Sequence, residues 1–295
     1  MQVILFLQNF SSPILDRLFQ FITMLGEDYF FILLAAFIFW CRDKKFGYLL
    51  GFAYLTNGLV NIFLKEAFQI ARPIGREGVR SLRLSSAGGY SFPSGHTQSA
   101  SAIAASFALR YRNNRVYFTV IPLAILVGVS RMYLGVHWPT DVLAGLIIGF
   151  LWVYIANKIF NYVDMTENYF IFLAVIIPMA VIMYLFPTYT CFKAAGSATG
   201  IIMGYIIESR YIDFRPEART WQQPIKYIFG IAVLILIKIY GKSILPPTLW
   251  SDFARYLTIS LWFTAGAPYL FMKIFRSGKQ TSKEPGRKNH SFFTG

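Results

Sequence analysis

The chain has 295 residues, 56% of them hydrophobic and only 14% charged, with a mean hydropathy of +0.49 and a formal net charge of +14. That composition excludes a soluble domain folded around one core and indicates an all-α, polytopic transmembrane helical bundle. The basic excess suits membrane-surface loops and tails, and no separate basic domain exists that would bind nucleic acid.

Residues 1–27 read as an amphipathic interfacial segment. Ser11, Ser12 and Pro13 break it, and Asp16, Arg17 and Gln20 alternate with Leu and Phe, the pattern of a helix lying on a membrane rather than crossing it. Nine spans are predicted after it, at 28–41, 46–66, 94–110, 115–131, 139–160, 168–187, 195–209, 225–245 and 254–274. A crossing needs about 20 apolar residues, so the first and seventh are short. The division that follows is a catalytic membrane core over 28–187, additional C-terminal transmembrane helices over 188–274, and a disordered basic tail over 275–295. The apolar segments never give way to a soluble chain, so no cleaved leader is expected. Cys41 and Cys191 fall on opposite sides of the membrane, which argues against a disulfide, and no metal-site cysteine spacing occurs. Gly200 and Gly204, in a run of small residues over 196–204, mark close helix packing. Lys238 inside a span, with Glu208 and Arg210 at the end of another, could form a polar contact there; helix packing and end anchoring is the plainer reading.

The spans sort the loops onto two faces. One face holds 67–93, 132–138, 188–194 and 246–253; the other holds 42–45, 111–114, 161–167, 210–224 and the tail. Leaving out Lys65, Arg72, Arg131 and Lys238, seventeen Lys and Arg lie near the second face and seven near the first. The positive-inside rule therefore puts the second face, with the C-terminal tail, in the cytoplasm and the first face outside.

Three polar blocks interrupt the apolar chain, all on the first face: 65–73, 93–96 and 130–141. Ionisable groups are costly near a bilayer, and five of these are cationic or can become so, which points to an anionic ligand. Lys65 and Arg72 are seven residues apart; a helix continued to Ala71 would put them on one face about 10 Å apart in rise, with Pro73 stopping it. Taken alone, Lys65 also reads as a snorkelling lysine at a span end. Ser94, Gly95 and His96 open a small-residue apolar run. A helix N-terminus there offers free N–H groups suited to phosphate, Gly95 allows close approach, and Ser94 can cap or donate. Arg131 lies six residues before His137, and Asp141 four after it. Pro139 suits a first helical turn, so Asp141 can reach back and orient the imidazole. An ordinary capped helix with an incidental histidine fits each block alone. Together they supply charge stabilisation, a nucleophile and a proton donor, the inventory of phosphoryl transfer.

At these residues the chain resembles the type 2 phosphatidate phosphatase superfamily, which includes glucose-6-phosphatase and the vanadium haloperoxidases. The signature K-x6-RP, PSGH and SR-x5-H-x3-D is matched by Lys65…Arg72-Pro73, Pro93-Ser94-Gly95-His96 and Ser130-Arg131…His137…Asp141. The resemblance implies that His137 is a nucleophile forming a phosphohistidine, that Asp141 orients it, and that His96 protonates the leaving alcohol. Lys65, Arg72, Arg131, Ser94 and Gly95 would cradle the phosphate, with no cofactor and no metal. It implies a membrane lipid substrate, in the polyprenyl pyrophosphate, phosphatidylglycerol phosphate or phosphatidate class. A soluble phosphate ester, or non-enzymatic anion transport, is the alternative. In Arg76, Arg80 and Arg83, the 74–92 loop has cations either to attract a headgroup or to dock on anionic lipid.

Overall fold

A computed structural model describes residues 1–275; except for Phe275, the tail expected over 275–295 lies outside the described residues. Twelve α-helices and no strand occur among the described residues. They are α1 (Gln2–Asn9), α2 (Pro13–Thr23), α3 (Asp28–Cys41), α4 (Lys44–Phe68), α5 (Gly95–Tyr111), α6 (Asn114–Tyr133), α7 (Pro139–Thr166), α8 (Leu173–Leu185), α9 (Tyr189–Ile207), α10 (Gln222–Ile244), α11 (Leu249–Leu261) and α12 (Ala267–Ile274). Polar residues between the apolar runs cap the helix starts. Ser12, Asp43, Asn113, Thr188 and Thr248 each accept a backbone N–H of the following first turn. A π-turn over Glu208–Ile212 extends α9, and another over Trp262–Gly266 joins α11 to α12.

Each predicted span corresponds to a helix or a helix pair. By length and apolarity alone, however, five helices qualify to cross a membrane (α4, α6, α7, α9 with its π-turn, and α10), or six if α2 and α3, bent by 52°, form one broken span. α3 has 14 residues, and α8 and α11 have 13 each. α5 has 17, rich in Ala and Ser rather than in large apolar residues, because it is enclosed by α4, α6 and α7 instead of lipid.

The N-terminal segment does not stand apart from the core. Leu7, Leu15 and Phe19 pack on buried Tyr133, Leu134 and Val136, and the Tyr133 hydroxyl donates to Asp16 at 2.6 Å. Nor are Arg80 and Arg83 free for lipid or headgroup. Arg80 makes a two-pronged ion pair with Asp16 at 2.6 and 2.7 Å, and Arg83 pairs with Glu27 at 2.6 Å. Sequence reading missed these pairs because the carboxylates lie more than fifty positions away and meet the loop only on folding.

Close packing of α5 on α7 brings two polar blocks together. A Cβ at Gly149 would sit 2.5 Å from the Gln98 carbonyl oxygen, and one at Gly145 would sit 2.9 Å from that of Ser94. Only glycine lets the backbones approach this closely. Asp141, one turn before Gly145, is thereby carried to the start of α5. In the C-terminal helices, Gly196, Gly200 and Gly204 put one face of α9 against Phe253, Leu257 and Thr264, as the small-residue run predicts.

The opposite end is tied by ion pairs. Lys44 reaches Glu208 at 3.0 Å, Lys45 reaches Asp164 at 2.7 Å, and Arg110 reaches Asp43 at 2.7 Å. Loops assigned to one face from sequence thus meet at one end. Lys238 contacts the Tyr29 hydroxyl at 3.0 Å rather than Glu208. Glu208 is 1% exposed and also accepts from the Tyr48 hydroxyl and the Phe214 N–H. Glu208→Ala leaves these donors without their acceptor and should destabilise the protein by about 3 kcal/mol, read as a lowered melting temperature in detergent; an unchanged value would refute the role given to this network.

Candidate active site

α4 ends earlier than the sequence suggests. Gln69 takes a left-handed conformation (φ 50°), and its N–H closes on the Lys65 carbonyl, so the helix stops at Phe68 and Arg72 lies in the following loop. The two cations therefore do not share a helix face, yet they converge. Lys65 Nζ donates to the Tyr90 carbonyl at 2.6 Å, and Arg72 Nη2 donates to the same oxygen at 3.1 Å. The Gly88, Gly89 and Val136 carbonyls hold the rest of the Arg72 guanidinium at 2.7 to 2.9 Å.

Ser94 is the N-cap residue of α5, but its side chain does not cap. Its hydroxyl pairs with that of Thr97 at 2.8 Å, and its N–H donates to the Asp141 carbonyl at 3.0 Å. First-turn amides have no acceptor within their own helix, so the start of α5 presents donors and a partial positive charge beside His96. His96 Nε2 is buried and makes no hydrogen bond within the protein, with a Glu27 carboxylate oxygen 3.6 Å away.

Arg131, at the end of α6, is 0% exposed. Its Nη1 donates to the Thr23 and Ser86 hydroxyls at 3.1 Å and its Nη2 to the Ser86 carbonyl at 3.2 Å, while Nε makes no hydrogen bond within the protein. His137 lies in the turn before α7. Its Nδ1 faces Asp141 Oδ2 at 3.3 Å, and its Nε2 faces Arg72 Nη1 at 2.9 Å. A guanidinium cannot accept, so Nε2 has the lone pair and Nδ1 the proton. Asp141 Oδ2 also accepts from the Ser91 hydroxyl at 2.5 Å and from the Trp138 N–H at 2.8 Å.

All eight residues singled out from the sequence thus border one region. Among the described residues, no carboxylate comes within salt-bridge distance of Lys65, Arg72 or Arg131. Arg131 is buried and Lys65 and Arg72 are half-buried, and cations withdrawn from water without an ion-pair partner are costly unless an anion joins them. Burial first, then the charges of Arg131, Arg72 and Lys65, keep the His137 imidazole well below its ordinary range. It is therefore neutral at pH 7, with its lone pair aimed among cations.

Sequence reading missed Ser91, Tyr90, Ser86, Thr23 and Glu27. Most are common polar residues or act through a backbone carbonyl, and only their fixed positions give them roles; the charge of Glu27 was visible, its partners were not. Inorganic phosphate or vanadate should raise the melting temperature in detergent, by an amount equivalent to about 2.7 kcal/mol at a hundredfold excess over Kd. Arg131→Gln should remove most of that shift, and an undiminished shift would mean that the anion binds elsewhere.

Comparison with known proteins adds to this geometry. Residues 46–165 match the model of the PAP2 superfamily, and residues 192–279 match that of the PAP2 superfamily phosphatase, transmembrane extension. The chain is 33% identical over 153 residues to phosphatidylglycerophosphatase B of Bacillus subtilis, covering 48% of this chain and 72% of that protein. It is 32% identical over 160 residues to undecaprenyl-diphosphatase BcrC of the same organism, covering 52% of this chain and 81% of that protein. Among solved structures, Aquifex aeolicus LpxE is similar at 30% identity and a TM-score of 0.48, covering 53% of this chain and 93% of that one.

Proposed function

This chain belongs to the PAP2 superfamily of membrane phosphatases, and from that premise we propose that it hydrolyses a lipid phosphate or lipid pyrophosphate through a phosphohistidine, at the extracytoplasmic interface. The supporting observation is the orientation of His137, with Nδ1 on Asp141 and Nε2 among the cations. Nε2 attacks phosphorus in line with the ester oxygen. The N–P bond forms as the P–O bond breaks, and His96 gives its proton to the departing oxygen. Asp141 stabilises the positive charge that develops on the His137 ring. Lys65, Arg72, Arg131, the Ser94 hydroxyl and the Gly95 N–H bind the equatorial oxygens, where charge builds in the transition state. Water then cleaves the N–P bond, giving up a proton to His96, and inorganic phosphate leaves. Arg72 rests against the Nε2 lone pair, so a bound phosphoryl group must draw it away before attack.

The lipid class is supported by the bundle itself and by the names of the two Bacillus relatives, which act on phosphatidylglycerophosphate and undecaprenyl diphosphate. The outward orientation is supported by the excess of basic residues at the far end of the bundle.

Phosphate release in detergent, from a panel of phosphatidate, phosphatidylglycerophosphate, a polyprenyl diphosphate and glucose 6-phosphate, tests the substrate class. Turnover of glucose 6-phosphate alone would overturn the lipid assignment. His137→Ala should abolish release, and His96→Ala or Arg131→Ala should lower it by about two to three orders of magnitude. Ser91→Ala, which loosens Asp141, should cost about tenfold. Wild-type turnover in His137→Ala would sink the phosphohistidine. Single cysteines at Gly78 and Asn114, in a chain with Cys41 and Cys191 changed to Ser, should differ toward a membrane-impermeant maleimide on intact cells. Labelling is expected at 78 and not at 114, and the reverse pattern would invert the orientation.

A further inference from the structure

Glu27 stands at the bend between α2 and α3. It holds the N-cap position of α3 with an extended backbone (φ −93°, ψ 154°), yet its side chain makes no capping bond. Serine, threonine, asparagine and aspartate are the usual residues there, because their short side chains reach the free N–H groups of the first turn. The longer Glu27 side chain turns away instead. Its Oε1 accepts from Arg83 Nη2 at 2.6 Å and lies 3.6 Å from His96 Nε2. The preceding residue fixes this approach. A Cβ at Gly26 would sit 2.5 Å from the His96 carbonyl oxygen, so glycine is what lets the bend rest on the start of α5.

His96 Nε2 is buried and bonds to nothing else in the protein. A separation of 3.6 Å is too long for a hydrogen bond, but a shift of about 0.5–1 Å brings it to hydrogen-bond length. Other charges act on the same ring. Arg131 of α6 opposes a positive charge there, as burial does, and Asp28 at the start of α3 favours one. Arg83 sits behind the Glu27 carboxylate, and the neutral His137 stands before α7. Among the described residues, Glu27 is the one acid within ion-pair distance of His96.

We propose that Glu27 is the positioning residue for proton transfer: its carboxylate, anchored by Arg83, accepts a hydrogen bond from His96 Nε2–H and leaves Nδ1 to exchange the proton. This rests on the reaction proposed above. As the P–O bond breaks, Nδ1 gives its proton to the leaving oxygen, and the ring becomes neutral with Nε2–H still on Glu27. In the second half, water gives a proton back to Nδ1 as its oxygen attacks phosphorus. Each histidine is then held by one carboxylate through the nitrogen turned away from phosphorus, His137 by Asp141 and His96 by Glu27. Such a carboxylate fixes the tautomer and stabilises the charged ring, acting through the histidine and not on the substrate.

The test compares two phosphate monoesters with the same alkyl chain. One is dodecyl phosphate, whose alkoxide needs a proton to leave; the other is a nitrophenyl phosphate carrying a dodecyl chain, whose phenolate leaves without one. In Glu27→Gln, kcat/KM should fall at least about tenfold on the first and less than about threefold on the second. The alkaline limb of the dodecyl phosphate profile should also move to lower pH, because an imidazolium without its carboxylate gives up its proton more readily. Asp16→Asn, which cuts the loop's other tether at Arg80, should affect the two esters alike. Equal losses on both esters in Glu27→Gln, no loss on dodecyl phosphate, or the same asymmetry in Asp16→Asn would overturn the proposal. Should Glu27→Gln misfold, or wild type cleave neither ester, nitrogen NMR of the wild type decides. The chain has three histidines, and His96 is assigned by its loss in His96→Gln. Its neutral ring should be protonated at Nε2, and protonation at Nδ1 would overturn the proposal. A wild type that cleaves neither ester nor any lipid of the panel above, with His96 protonated at Nε2, would count against the reaction and leave the Glu27–His96 pair standing.

Discussion

A group of cations held without counter-charge governs the architecture of this protein. Lys65, Arg72 and Arg131 come from three separate parts of the chain, and none has a carboxylate within salt-bridge distance among the described residues. Three positive charges, one buried and two half-buried, repel one another, and each carries a desolvation cost. Backbone carbonyls meet part of that cost. Tyr90 serves both Lys65 and Arg72, while Gly88, Gly89 and Val136 serve Arg72 alone. Hence the long loop between α4 and α5 is part of the cradle rather than a mere connection, since its carbonyls solvate the cations without adding negative charge. What remains unbalanced is available to an anion.

The rest of the molecule keeps those carbonyls and cations in place. Asp16 and Glu27 take up Arg80 and Arg83, fastening the loop to the N-terminal helices. Arg131 is gripped by the Thr23 hydroxyl and by Ser86. The glycines of α7 let Asp141 come down onto the start of α5, where its carbonyl accepts from Ser94 and its carboxylate orients His137. Positioning to within a hydrogen bond is what phosphoryl transfer asks of a protein, because most of the catalysis is electrostatic. The C-terminal helices pack at the other end and along one side, through Glu208 and the glycine face of α9, away from the reacting groups.

Much of this was legible in the residues alone. The all-α membrane fold follows from composition and the helix positions from apolar runs, and three polar blocks name eight residues that the fold brings near one another. The tight α9 packing was visible as a run of small residues. Less accessible were helix ends and partners. Arg72 was placed on an extended α4 because Pro73 looked like the stop, whereas Gln69 ends the helix four residues sooner through a left-handed turn. Arg80 and Arg83 looked free because charge complementarity across more than fifty residues leaves no local trace.

The sequence by itself determined which ionisable groups gather at the edges of the apolar chain, because burial cost makes such residues conspicuous. Tertiary structure alone decided their geometry. The shared Tyr90 carbonyl and the lone pair of His137 turned toward Arg72 both arise from helices meeting at particular depths. Those depths depend on side-chain volume and backbone approach summed over many contacts, and no short stretch of sequence encodes that sum.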